Sequence, residues 1–242
     1  MAKDEAEVLA NVMPAILGPP ISTEPSGRNT AFGNLEPLTD GAITPAKPDI
    51  YYGSIPQRLS QTVRDKIGEY IVPSTMHSKP LAPNFFVEAK GPDGSSAVLH
   101  RQACYDGAVG SRGMHSLQNY GREQPQYDGR AYVFSSTYQH GILRMYAHHP
   151  TAPKTDGMSP RYHMTKVGTW VMNEERGDFV RGATALRNAR DLAKQHRDNF
   201  IQAANSRASA TSPHSTDEDD EDDESTDEFV DCEEPVPRSL YT

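Results

Sequence analysis

Between Pro83 and Gly91 the chain reads Pro83-Asn84-Phe85-Phe86-Val87-Glu88-Ala89-Lys90-Gly91, aromatic and β-branched residues that predict a strand. Gly91-Pro92-Asp93-Gly94 ends it with turn chemistry. The two-residue period puts Phe85, Val87 and Ala89 on one face and Phe86, Glu88 and Lys90 on the other. A carboxylate and an ammonium therefore leave the end of an apolar strand together. They read either as a cross-strand ion pair or as part of a site that needs a second carboxylate nearby.

Helical periodicity marks four other stretches. From Asp4 to Leu17, residues Val8, Leu9, Val12, Met13 and Ile16 cluster on one side, and Pro14 should kink or end that helix. Glu5 falls within the apolar stripe while Glu7 points away, so Glu5 either complements the first-turn dipole or serves chemistry. Ile55, Leu59, Val63 and Ile67, continued by Tyr70 and Ile71, predict a helix over 56–70 stopped by Val72-Pro73. Ser95 or Ser96 caps a longer helix running toward Tyr120. On it Ala103, Gly107 and Gly110 form one small-residue face, and a glycine costs about 1 kcal/mol in a helix interior, so close approach to a sheet is the expected compensation. Gln102 and Tyr105 lie near its start, placed to reach back over the strand end.

The fourth helix spans 178–204, with Phe179, Ala183, Leu186, Ala189, Ala193 and Phe200 on one side. Arg181, Arg187, Arg190, Lys194 and Arg197 occupy its other sides and read as a solvated face with partners such as Asp191 and Asp198. Strand patterns fall on Thr30-Ala31-Phe32, on 46–53 behind Pro48, and on Tyr162–Met172. Asp49 shares a face with Tyr51. Ala131–Ser135 and Ile142–Tyr146 form a hairpin around Gln139-His140-Gly141. Together these predict an α/β domain over 1–205, a mixed central sheet flanked by helices.

Composition adds a second region. The 242 residues carry a net charge of −9, but thirteen Asp or Glu fall between Ser206 and Thr242, leaving the remainder at about +2. Residues 206–242 are too polar and too acidic to bury a core, and they read as a disordered acidic tail. Ser215, Thr216, Ser225 and Thr226, each followed by acids, match a weak acidophilic-kinase pattern. Cys104 and Cys232 cannot form a disulfide framework, which favours an intracellular setting, nucleus or cytoplasm, over secretion. No run of apolar residues is long enough to span a membrane. His140, His148, His149 and His163 lack a Cys or carboxylate at zinc spacing, and Cys104 on the small-residue side of its helix reads as a packed thiol. Gly91-x-x-Gly94 lacks the Lys-Ser/Thr of a phosphate-binding loop.

Pro48-Asp49, then Glu88-Ala89-Lys90, then Gln102, arriving in this order on two strands and a helix, resemble the PD-(D/E)XK or restriction-endonuclease-like nuclease superfamily. Gln102-x-x-Tyr105 is similar to the Gln/Tyr helix motif of RecB-like members, with one residue fewer between the two. Pro83-Asn84-Phe85-Phe86 and Arg187-Asn188-Ala189-Arg190-Asp191 look like fungal members. The resemblance covers about residues 4 to 205 and implies a restriction-endonuclease-like core that hydrolyses phosphodiesters of DNA or RNA. It implies Mg²⁺ or Mn²⁺ held by Asp49, Glu88 and the backbone carbonyl of Ala89, with Glu5 completing the shell or holding a metal-bound water. Lys90 would position water or steady the phosphate, and Gln102 would orient a ligand or touch the backbone. The alternative is a silent nuclease fold serving as an interaction module. Its acidic tail would then mask the groove or bind a basic protein.

Overall fold

The computed structural model describes residues 3–19, 25–155 and 157–211. Its core is a six-stranded mixed sheet flanked by helices, an α/β architecture. The chain enters through a helix in three pieces: α1 (Glu5–Glu7), a π-helical turn (Val8–Val12) and α2 (Met13–Leu17). Pro14 lacks an N–H and crowds the carbonyl a turn back, and the wide π turn just before it takes up that mismatch. The helix bends there and continues to Gly18, whose φ of 78° ends it.

The strands are β1 (Ser26–Arg28), β2 (Ile50–Ser54), β3 (Leu81–Ala89), β4 (Val133–Gln139), β5 (Ile142–Thr151) and β6 (Arg161–Val171). They lie in sequence order, and every neighbouring pair is antiparallel except β3 and β4. That parallel pair is joined by the crossover helix α4 (Ser96–Asn119), while α3 (Gln61–Ile71) links β2 to β3. Helix α5 (Arg176–Thr211) closes the described fold.

Each face of the sheet has its own core, as the alternation in β3 requires. Phe86 and Tyr51 pack with Ile71, Met114 and Leu117 beneath α3 and α4. Phe85, Val87 and Ala89 pack with Met13, Ile16, Ala183 and Leu186 of the entering helix and α5. The small face of α4 meets the sheet directly. A Cβ on Gly107 would lie 2.1 Å from the His148 ring, and one on Gly110 would lie 2.7 Å from Phe86.

Several expectations are corrected. The first strand is Ser26–Arg28, not Thr30–Phe32; Phe32 instead turns inward to stack edge-on against Tyr51 at 5.0 Å. The helix expected over 56–70 starts at Gln61, because Ser60 caps it by accepting from Val63 N, and Pro56–Arg58 is a separate 3-10 turn. The hairpin strands run longer than their apolar pattern because buried Ser135, Ser136 and Thr137 continue β4. His140 and Gly141, at φ 52° and 75°, make the two-residue turn between β4 and β5. Cys104 is exposed rather than packed.

Three basic residues of α5, Arg187, Arg190 and Arg197, turn inward, while Arg181 is solvated as expected, its side chain 66% exposed beside Asp178. Arg190 is 5% exposed and Arg197 is 1% exposed. Arg187 donates to the carbonyls of Ala15 and Ile16, and Arg190 to that of Leu17, so guanidinium groups meet the negative end of the entering helix. Arg197 donates to Asn84 Oδ1 at 2.5 Å, and Asn84 Nδ2 in turn reaches the Ala193 carbonyl. The expected partnership of Lys194 with Asp198 is present at 2.6 Å. Helix α5 also carries the fold past residue 205, through Thr211. The rest of the acidic tail, 212–242, lies outside the described residues.

Candidate functional site

Strands β2 and β3 pair with Ile50 opposite Val87 and Tyr51 opposite Phe86, which puts Asp49 across from Glu88 at the strand end. Although α3 and its flanking loops separate them in sequence, the two carboxylates are laced together. Asp49 N donates to Glu88 Oε1 at 3.2 Å, and Ala89 N donates to Asp49 Oδ2 at 2.8 Å. Glu88 is 0% exposed and Asp49 is 5% exposed. Burial pushes the Asp49 carboxyl above its usual range, against the Ala89 N–H and the Lys90 charge.

Lys90 follows β3 directly, its N–H donating to the Tyr138 carbonyl of β4. Its Nζ meets Glu5 Oε2 at 2.8 Å. Two glycines make this contact sterically feasible. A Cβ on Gly91 would lie 2.8 Å from the backbone of Asp4 and Glu5, so only glycine lets the entering helix start against the strand end. A Cβ on Gly94 would lie 2.6 Å from Lys90 Cβ, so Gly94 leaves room for the lysine stem. Burial alone would lower the Lys90 pKa. The bond to Glu5 and the charges of Asp49, Glu5 and Glu88 outweigh it and hold Lys90 above the ordinary lysine value. The group is a cation at neutral pH.

Sequence reasoning missed a further carboxylate, Asp106 of α4. A strand advances about 6.6 Å in two residues and a helix about 6 Å in four, so residues 86, 88 and 90 step in time with 110, 106 and 102. Gly110 lies against Phe86, and Asp106 lies within hydrogen-bonding reach of Glu88. Gln102, one helical turn before Asp106 in α4, is half-buried. Asp106 is 2% exposed. Burial drives both carboxyls of the pair upward, and for Glu88 the charges of Asp106 and Asp49 add to it. The signal was present: Asp106 is the one acid in α4, midway between Gln102 and Gly110 at helical spacing.

Three buried acceptor oxygens here have no hydrogen-bond donor: Glu88 Oε2, Asp106 Oδ2 and Gln102 Oε1. Tyr105 packs instead against the hydrophobic core beneath α4. The rim is held by Gln139 at the end of β4, which donates to the Gly94 carbonyl and accepts from Ser96 Oγ, both at 2.6 Å. Among the described residues no group of three or more His, Cys, Asp or Glu is placed to hold a metal ion, and Glu5 is turned to Lys90. His148 bonds to Ser135 at 2.7 Å, and His149 stacks on His163 at 4.9 Å.

The fold and site thus define an α/β protein with buried carboxylates and a lysine gathered at one end of its central strands. Residues 3–204 match the model of a family described as Domain of unknown function (DUF7924), and the chain belongs to that family. Searches of curated proteins and of solved structures find no match. Among the described residues no helix is long and apolar enough to cross a membrane.

Proposed function

We propose that the chain is a metal-dependent nuclease of the restriction-endonuclease-like type, hydrolysing phosphodiesters in nucleic acid. The observation that carries this reading is the juxtaposition of Asp49, Glu88 and Lys90 at one strand end, with Glu88 Oε2 buried and without a donor. The strand order supports it too: three antiparallel strands carry the two acids, and a crossover helix bearing Gln102 leads to a parallel fourth.

The donor set suits Mg²⁺ or Mn²⁺. Both take hard oxygen ligands, and Mg²⁺ needs only one or two carboxylates because it keeps several waters, so a three-residue cage is not required. Asp49, Glu88 and the Ala89 carbonyl are the residues that would hold it. When bound, the cation polarises the scissile phosphate and eases ionisation of the attacking water.

The chain's own side chains divide the remaining work. Lys90, kept protonated by its acidic neighbours, offers N–H donors and a fixed charge to a phosphate oxygen as the water adds to phosphorus and the bond to the sugar oxygen breaks. Glu5 holds the lysine in place through the 2.8 Å bond, and Gly91 fixes where Glu5 stands. Gln102 orients the substrate backbone or a bound water through its amide. With Arg187, Arg190 and Arg197 committed inside the fold, their charge is not available to a substrate.

The test is cleavage of single- and double-stranded DNA and RNA by the full chain in Mg²⁺ or Mn²⁺, beside Lys90→Ala and Asp49→Ala. Metal-dependent cleavage by the wild type that both variants lose supports the reading. Wild type that cleaves none of these substrates contradicts it.

A further inference from the structure

We propose that Asp106 is a ligand of the divalent cation, sharing it with Glu88, so that the ion seats inward between β3 and α4 rather than at the outer rim beside Glu5. This rests on the cation of the nuclease reading and adds to it a residue that the Asp, Glu-x-Lys and Gln pattern does not contain.

A carboxylate only accepts hydrogen bonds. Glu88 and Asp106 are buried within hydrogen-bonding reach of one another, and each keeps an oxygen, Oε2 and Oδ2, that no donor meets. Two buried carboxylates within hydrogen-bonding reach need either a proton or a cation between them. Gln102 Oε1, one helical turn before Asp106, is a third buried acceptor without a donor. The two carboxylates offer hard oxygens suited to Mg²⁺ or Mn²⁺.

Glu5 is the weaker candidate. Its side chain is 41% exposed, and its Oε2 is occupied by Lys90. The small-residue face of α4 explains how Asp106 comes so close. Gly107 and Gly110 let the helix lie directly on the sheet, which lowers a short carboxylate onto the Glu88 side chain.

The experiment is a Mn²⁺ titration of the full chain by calorimetry, with thermal unfolding recorded with and without Mn²⁺, for wild type and Asp106→Asn. Asparagine keeps the size of the side chain and can donate to Glu88. The metal-free variant is therefore expected to unfold at or above the wild-type temperature. Its Mn²⁺ affinity is expected to fall at least about tenfold, with the Mn²⁺-induced rise in Tm lost. Asp106→Ala, small enough for the same helix face, should behave alike if asparagine disturbs folding. Wild-type affinity and an intact Tm rise in these variants would overturn the proposal while leaving the nuclease reading standing. The pair would then be bridged by a proton. Wild type that binds no Mn²⁺ would overturn both.

Discussion

His148 shows most directly what burial does to a single side chain in this protein. It is 2% exposed against the face of α4, where Gly107 makes room for its ring, and Ser135 is its hydrogen-bond partner. Burial, aided by the charge of His149, lowers its pKa from 6.5 to about 4. A histidine depressed in this way binds fewer protons folded than unfolded, so its contribution is intact above the unfolded value and is lost as pH falls from 6.5 toward 4. At 1.36 kcal/mol per unit the loss is up to about 3 kcal/mol. The buried acids, whose pKa values are raised, change stability in the opposite sense and do so equally in wild type and His148→Asn, so the difference between the two proteins isolates the histidine. From about pH 7 to about pH 4.5 the urea midpoint of wild type should drop relative to that of His148→Asn, and an equal change in both would contradict this account. At this scale the sequence was legible where a residue broke a pattern. Glu88 and Lys90 stood out against an apolar strand. Asp106 did not, because a lone acid in a helix is usually solvated. His148 did not either, because its burial depends on glycines distant in sequence.

Among the elements, the entering helix shows how basic residues can be structural. Arg187 and Arg190 bind the last carbonyls of α2, and Arg190 also lies over the Tyr52 ring at 5.4 Å. This anchoring keeps Glu5, at the other end of the same helix, beside Lys90. Arg187→Ala removes two charged hydrogen bonds and should cost about 2 kcal/mol locally. Amide exchange over Met13–Leu17 should then quicken roughly 30-fold with β3 to β5 unchanged. Uniform quickening across the sheet would mean that Arg187 supports the whole fold instead. The order of helices and strands and the close approach of α4 could be read from periodicity. The extent of β4 could not, since Ser135, Ser136 and Thr137 are buried polar residues, two of them satisfied within the sheet: Ser135 with His148, Ser136 with the Phe86 carbonyl. The buried arginines of α5 were equally hidden, because an amphipathic pattern does not distinguish water from backbone carbonyls as the partner of a guanidinium.

For the molecule as a whole, two cores hold the sheet, and at one end the chain spends stability on a cluster of buried acids. Such clusters are costly when empty, and sites that sacrifice stability for chemistry show the two moving in opposite directions on mutation. Glu88 is the residue on which that opposition turns. It touches Asp49 and Asp106, and its pKa is raised by burial and by both of their charges. The most direct test is therefore a paired measurement on Glu88→Gln: Tm without metal, and the rate of Mn²⁺-dependent cleavage of single- and double-stranded DNA and RNA. The account predicts a Tm at or above that of wild type together with a rate at least about 100-fold lower. A variant that cleaves as fast as wild type, or that loses stability while keeping its rate, would contradict it.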